Sequence, residues 1–289
     1  MKSWILSLRP QTLTAAVVPV VLGSAVAASH PEGWQVWISV CALLAACFIQ
    51  IATNFFNDAI DFHKGADTSD RLGPIRVTQA GLLTSRQVMM AGGFCLLVAL
   101  CFGVPLVIHG GWPIVVIGLV SLFLAYAYTG GPFPLAYRGL GDLFVFLFFG
   151  LIAVGGVVYL HLGYWPMDAL VAGAQTGLLG TVLIAINNFR DREQDVKVGK
   201  KTMAARFGAR FARAEIITLL LCAYALCRWW LWNGKVWAMF LPLLSLPLAI
   251  KVARGVLKNE PSPLFNHFLG QAAGTQLLFG GLLAAGLML

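Results

Sequence analysis

Long apolar runs separated by polar connections dominate the chain. Stretches of roughly 20 apolar residues fall at about 12–28, 35–57, 88–108, 112–129, 140–160, 166–188, 213–232, 236–256 and 266–288. Each is long enough to cross the ~30 Å hydrocarbon core of a bilayer as a helix. The pattern predicts an all-α, polytopic membrane protein with nine transmembrane helices, built as two four-helix halves plus one, in a single domain over residues 1–289. Two polar connections are long, at about 58–87 and 189–212, and long loops in compact folds are usually functional. The alternate connections are short, as turns between antiparallel helices are. Glycines inside the apolar runs, among them Gly92, Gly173, Gly177 and Gly180, allow close helix approach.

Composition agrees: 59% of residues are hydrophobic and only 11% charged, against about 25% charged in soluble domains. The net charge of +8 suggests a polyanionic partner until its distribution is considered. Of the 20 Lys and Arg, 18 fall in the N-terminal segment and in alternate connections, while Arg228 and Lys235 stand on the other side. Such sorting serves membrane orientation, not nucleic-acid binding, and predicts a cytoplasmic N-terminus and two cytoplasmic polar loops. The expected location is the bacterial inner (plasma) membrane. No signal-peptide cleavage pattern precedes the first run. The six cysteines lie in apolar runs without metal-ligand spacing, and read as reduced, buried small hydrophobes.

Two of the runs end in chemistry that does not belong in lipid. The second closes on Asn54, Asn57, Asp58, Asp61, Lys64 and Asp67, and the sixth on Asn187, Asn188, Arg190, Asp191, Glu193 and Asp195. Buried carboxylates cost several kcal/mol each unless water, a cation or a partner charge receives them. Asn57 and Asp61 share a helix face if the helix continues, with Asn54 one turn earlier; Asn187, Asp191 and Asp195 repeat the four-residue step. Oxygen donors without thiolate or imidazole suit a hard cation such as Mg²⁺. Interleaved bases, including Lys64, Arg71, Arg76, Arg190, Lys200 and Lys201, suit oxyanions. Together these read as a diphosphate site at the lipid boundary, and a diphosphate native to that place carries an apolar tail.

At this point the chain resembles the UbiA superfamily of membrane aromatic prenyltransferases, which carries two Asp-rich motifs on helices two and six of a nine-helix fold. The resemblance leans toward the MenA-type branch, which prenylates 1,4-dihydroxy-2-naphthoate in menaquinone synthesis. It rests on Arg9-Pro10-Gln11-Thr12-Leu13, on Asn54 to Asp67, and on Gly73 to Gly81. Further segments are Tyr128 to Pro132, Gly139 to Phe146, and Asn187 to Asp191 with Asp195, Gly199, Lys200 and Thr202. Two positions depart from the pattern. Gly65 stands where the superfamily places an Asp, with Asp67 two residues on, which resembles the naphthoate branch. Asp142 stands where that branch is expected to carry Glu, a change that reshapes acceptor contacts if the position touches the acceptor.

The resemblance implies transfer of a polyprenyl chain from polyprenyl diphosphate to the aromatic acceptor. It implies two Mg²⁺ held by Asn57 and Asp61, with Asn54, Asp58 or Asp67 assisting, and by Asn187, Asp191 and Asp195. Asp61, Asp191, Lys64 and Arg76 are the expected catalytic residues. Asn57, Asn188, Arg138, Arg190, Lys201 and Tyr128 are the expected substrate contacts, and the loop from Gly130 to Gly139 is expected to recognise the acceptor or close over it. The alternatives are transfer to 4-hydroxybenzoate or, from another class, an ion-coupled transporter. Acids surrounded by bases at helix ends suit an anionic headgroup better than a bare cation.

Overall fold

The computed structural model describes residues 2–67 and 71–289. Among them there is no strand. The helices are α1 (Lys2–Leu8), α2 (Pro10–Ala28), α3 (Val36–His63), α4 (Ser85–Gly110), α5 (Trp112–Ala127), α6 (Leu135–Arg138), α7 (Gly141–Leu162), α8 (Met167–Arg190), α9 (Arg192–Lys197), α10 (Met203–Trp232), α11 (Val236–Lys258) and α12 (Phe265–Met288). Eight of these (α2, α3, α4, α7, α8, α10, α11 and α12) are long and apolar enough to cross a membrane. The ninth run expected from the sequence, α5, is apolar but has only 16 residues. It stops before Tyr128 because the chain turns at Gly130 and Gly131, the latter with φ +73°.

Local signals set several ends. Thr84 and Gln87 form a reciprocal capping box at the start of α4. Thr202 caps α10 by accepting from the Ala205 amide, and α10 is broken one turn later at Gly208, φ +83°, so it begins ten residues before the expected span. Most consequential is α3. It runs on past residue 57 to His63, so Asn54, Asn57 and Asp61 do lie on one helical stretch.

Helices α2, α7, α8 and α12 pack together at the centre, with α3, α4 and α5 on one flank and α10 and α11 on the other. The main core joins Leu22 and Val26 of α2, Ile186 and Phe189 of α8, Trp230 of α10 and Phe279 of α12. Between α7 and α8 the backbones nearly touch. A Cβ on Gly150 would stand 2.5 Å from the Gly173 carbonyl oxygen and 2.6 Å from the Gly177 Cα. Here α7 loosens into a π-helical stretch, Phe146–Ile152, of the kind often found beside functional sites. At the end remote from the acidic clusters, Trp34, Trp112, Trp165, Trp232 and Trp237 are exposed, as interfacial tryptophans are. All six cysteines are free, but Cys101 and Cys222 face outward and not into the core as expected. On helices whose outer face meets lipid, such exposure costs a small apolar side chain little.

Candidate active site

The C-terminal ends of α3 and α8 meet. Arg71, in the loop after α3, pairs with Asp67 beside it and reaches Asp191 of the second cluster at 3.7 Å. Gln194 of α9 donates to the Ala66 carbonyl at 2.7 Å. Asn266 of α12 locks the junction, donating to the Leu72 carbonyl and accepting from Arg190 at 2.7 Å. The two clusters, 130 residues apart by Asp61 and Asp191 in the sequence, therefore form one site.

Its centre is a chamber of about 570 Å³, whose walls include Asn57, Asp61, Arg76, Asn187, Asn188 and Lys200. Asp61 accepts a hydrogen bond from the Tyr137 hydroxyl at 2.9 Å and has the Arg76 guanidinium 3.6 Å from its other oxygen. Asn57 accepts from the Thr129 hydroxyl. Among the described residues, buried Arg76 leaves Nη1 without an acceptor and Nε only an ion-pair contact of 3.3 Å with Asp67, and Arg71 leaves Nε unpartnered. Buried donors of this kind point to an oxyanion ligand, since an unpartnered buried N–H costs about 1–3 kcal/mol. Beside the chamber lies a second, apolar cavity of about 460 Å³. Gln50, Thr53, Tyr128, Val145 and Phe149 line both. A polar compartment thus opens through a neck onto an apolar one.

Electrostatics separate the acids. Burial pushes Asp67 up to about 6, against the pull of Arg71. Burial likewise pushes Asp195 up to about 6, against Lys200 and the Thr202 hydroxyl. For Asp191 burial acts upward too, but the Arg190 fork and Arg71 prevail and hold it below the ordinary carboxylate range. Burial would lower the Lys200 ammonium, yet Asp195, Asp61 and Asp191 hold it above its ordinary value. Among the described residues no three carboxylate, imidazole or thiol groups converge on one point. The acids therefore do not form a metal cage by themselves; a Mg²⁺ here would take one or two carboxylates and complete its shell with water and phosphate oxygens. Asp67 Oδ2, buried and, among the described residues, without a hydrogen-bond donor beyond its ion-pair contact with Arg76 Nε, is a further oxygen of the required kind.

Several expected site residues are occupied by the frame. Asn54 donates at 2.9 Å to both the Leu8 carbonyl and the Thr12 hydroxyl, tying α3 to the start of α2. Asp58 accepts from the Thr78 amide at 3.0 Å and anchors the loop that carries Arg76. Arg190 is fully buried and commits Nε, Nη1 and Nη2 to Asp191, Asn266 and Asn187, respectively, with Nη2 also on Asp191. Asn187 lines the chamber with its oxygen held by Arg190. Arg138 is exposed and stacks on Phe133. Lys201 is exposed, while its neighbour Lys200 faces the chamber. Lys64 bends back to the Thr129 carbonyl at 2.6 Å and sits over the Tyr137 ring. Of the chamber region, Arg71 and Lys200 were visible in the sequence only among several interleaved bases and Arg9 only within the Arg9–Leu13 segment, while Tyr137 was not singled out. For Lys200, the signal was its position five residues after Asp195, within reach once the chain turns at Gly199, φ +70°.

Comparison with known proteins agrees with this arrangement. The model of the UbiA prenyltransferase family matches residues 16–284, and the chain belongs to that family. It is 32% identical to a 1,4-dihydroxy-2-naphthoate octaprenyltransferase of Haemophilus influenzae, over 100% of this chain and 96% of the relative. It is 33% identical to the protein of that name from Escherichia coli, over 96% and 94%. Among solved structures, an apo UbiA homologue from Aeropyrum pernix superposes with a TM-score of 0.71 at 16% identity, covering 94% of this chain and 97% of that one. A UbiA homologue from Archaeoglobus fulgidus, bound to GPP and Mg²⁺, gives 0.65 at 15% identity, covering 99% and 100%. The protein is thus an integral-membrane prenyltransferase.

Proposed function

We propose that this enzyme transfers a polyprenyl chain from polyprenyl diphosphate to 1,4-dihydroxy-2-naphthoate, releasing pyrophosphate and carbon dioxide and forming demethylmenaquinol. The observation that carries this reading is the chamber itself: amides, carboxylates and unpartnered guanidinium groups face it, and it opens onto an apolar cavity. The names of the full-length relatives select the acceptor. Asn57, Asp61 and Asp67 on one side and Asp191 and Asp195 on the other would hold Mg²⁺, which would supply charge neutralisation for the diphosphate.

Arg76, Arg71 and Lys200 hold the diphosphate oxygens as the allylic C–O bond breaks and its electron pair leaves with pyrophosphate. The isoprenoid chain lies in the apolar cavity. There the stacked rings of Phe144 and Phe148, with centroids 5.8 Å apart, and Tyr128 at the neck offer π faces to the allylic cation and exclude water. The ring carbon that bears the carboxylate attacks that cation. Loss of the carboxylate as carbon dioxide returns an electron pair to the ring and restores aromaticity, so no strong base is required.

The same reading treats residues 1–289 as one domain with nine membrane spans, α5 being the ninth. Its N-terminus and chamber face the cytoplasm across a bacterial inner membrane, in keeping with the sorting of 18 of the 20 Lys and Arg. The test is purified protein with Mg²⁺, labelled polyprenyl diphosphate, and dihydroxynaphthoate beside 4-hydroxybenzoate. Prenylated naphthol with release of the acceptor carboxyl is expected. Product only from hydroxybenzoate would move the assignment within the family, and product from neither would overturn it.

A further inference from the structure

Asp142 is the buried acid that the diphosphate chemistry leaves unused. It stands in the first turn of α7, away from both acidic clusters in sequence, and lines the polar chamber. It is 8% exposed, and among the described residues no other residue donates a hydrogen bond to either of its carboxylate oxygens. Buried carboxylates are otherwise partnered. No arginine or lysine pairs with it among the described residues, whereas Asp58, Asp61, Asp67, Asp191 and Asp195 each have a cation within 4 Å. The group that meets Asp142 is therefore a hydrogen-bond donor and not an anionic one.

Its surroundings narrow the choice. Val145, one turn along α7, lies in the neck shared by the chamber and the apolar cavity, as do Tyr128 and Gln50. The Tyr128 hydroxyl packs against Gly141, where a Cβ would stand 2.9 Å from it, so the residue before Asp142 is held small and the phenol ring stays beside the carboxylate. Gln50 Oε1, on the same neck, is buried and also lacks a donor among the described residues. Two unpartnered acceptors beside an aromatic ring, between a headgroup chamber and a tail cavity, match a flat ring that carries hydroxyl groups.

We propose that Asp142 accepts a hydrogen bond from a hydroxyl group of the aromatic acceptor and fixes the ring at the neck, facing the allylic carbon. This rests on the proposed aromatic prenyl transfer. The contact orients the ring and concentrates electron density on it, with no net proton taken up.

The test compares wild type with D142N and D142E in two assays. One is direct binding of dihydroxynaphthoate, followed by its own fluorescence on protein without prenyl diphosphate. The other is steady-state transfer, with KM measured separately for each substrate. For D142N, acceptor Kd and KM are expected to rise at least tenfold, with the prenyl diphosphate KM within twofold of wild type and thermal stability unchanged or higher; D142E is expected to recover part of the acceptor affinity. An acceptor with its hydroxyls methylated should bind wild type and D142N equally. Unchanged acceptor affinity in D142N would overturn the proposal, as would a loss of thermal stability with acceptor affinity intact, which would make Asp142 an anchor of the helix start. A wild type that transfers to no aromatic acceptor would instead overturn the proposed function.

Discussion

The Tyr137 hydroxyl donates a 2.9 Å hydrogen bond to Oδ1 of Asp61, across 76 residues of sequence. Tyr137 sits in α6, within the loop between Gly130 and Gly139, and its ring is flanked by the ammonium groups of Lys64 at 4.1 Å and Lys200 at 5.6 Å. The loop is therefore fastened to the first acidic cluster, and Asp61 is oriented by a group from outside its own helix. Hydrogen bonds to charged groups are worth about 1.5–3 kcal/mol. The variant Y137F should lower kcat/KM for prenyl diphosphate by roughly 10- to 100-fold, with the protein remaining folded. An unchanged kcat/KM at saturating Mg²⁺ would show that the loop is not coupled to Asp61 during turnover.

Asp61 and Asp191 differ in how much of their environment survives their loss. Asp61→Ala leaves the chamber wall in place but frees Arg76 and Tyr137. Asp191→Ala deprives the buried Arg190 fork of two acceptors. Both should reduce Mg²⁺-dependent transfer by about 10²-fold or more, and Asp191→Ala should also lower the melting temperature in detergent. Near-normal turnover in either variant would place the metals elsewhere.

Arg190 was legible in the sequence as a cation beside acids, and a phosphate contact was the natural reading. Its burial and its three protein acceptors make it a brace between α8 and α12 instead. R190A leaves Asp191, Asn187 and Asn266 without their donor, and breaking such a buried pair costs about 3–5 kcal/mol. R190K should fail nearly as badly, because an ammonium cannot reproduce the fork. Loss of folded protein on size exclusion is the expected outcome. A well-folded R190A with only a raised prenyl diphosphate KM would return Arg190 to the diphosphate.

How far the sequence could be read follows from these cases. The helices, the two clusters and the four-residue step from Asn57 to Asp61 were legible because apolar run length and helical periodicity are local properties. Which cation meets which acid was not, because that depends on the paths of the loops after α3 and α8. Lys201 was the expected oxyanion contact, yet the turn at Gly199 presents Lys200. Arg71 was visible only as one of several bases, and its bridge from Asp67 to Asp191 exists only once the two helix ends meet. Asn54 and Asp58 carry the right atoms for a metal, but their partners, Leu8, Thr12 and Thr78, bind them into the scaffold.

The seam between α7 and α8 makes a prediction of its own. Gly177 faces the Phe146 carbonyl oxygen, 2.5 Å from where its Cβ would stand, and Gly150 faces Gly173 as closely. Because the obstacles are backbone atoms, G177A and G150A must push the helices apart, at about 1–3 kcal/mol each. Thermal unfolding in detergent should show the loss. Gly93, whose added Cβ would meet nothing within 4 Å, is the control, and G93A should be neutral. Equal stability for G150A and G93A would mean that the seam is looser than its geometry states.

The apolar cavity predicts how the enzyme treats donors of different length. Ala46 of α3 lines it, as do Leu106 and Ile117 of the neighbouring α4 and α5, while the polar chamber is walled by other residues of α3 nearer its C-terminal end. Ala46→Phe adds a ring to the tail side without touching Asn57 or Asp61. A long polyprenyl diphosphate should then bind at least tenfold more weakly, whereas a five-carbon allylic diphosphate, whose tail ends near the neck, should react as in wild type. Transfer assays with a graded series of chain lengths separate the alternatives. A uniform loss across the series would mean that Ala46 supports the fold and does not border the tail; no loss at any length would mean that the chain leaves the neck by another route.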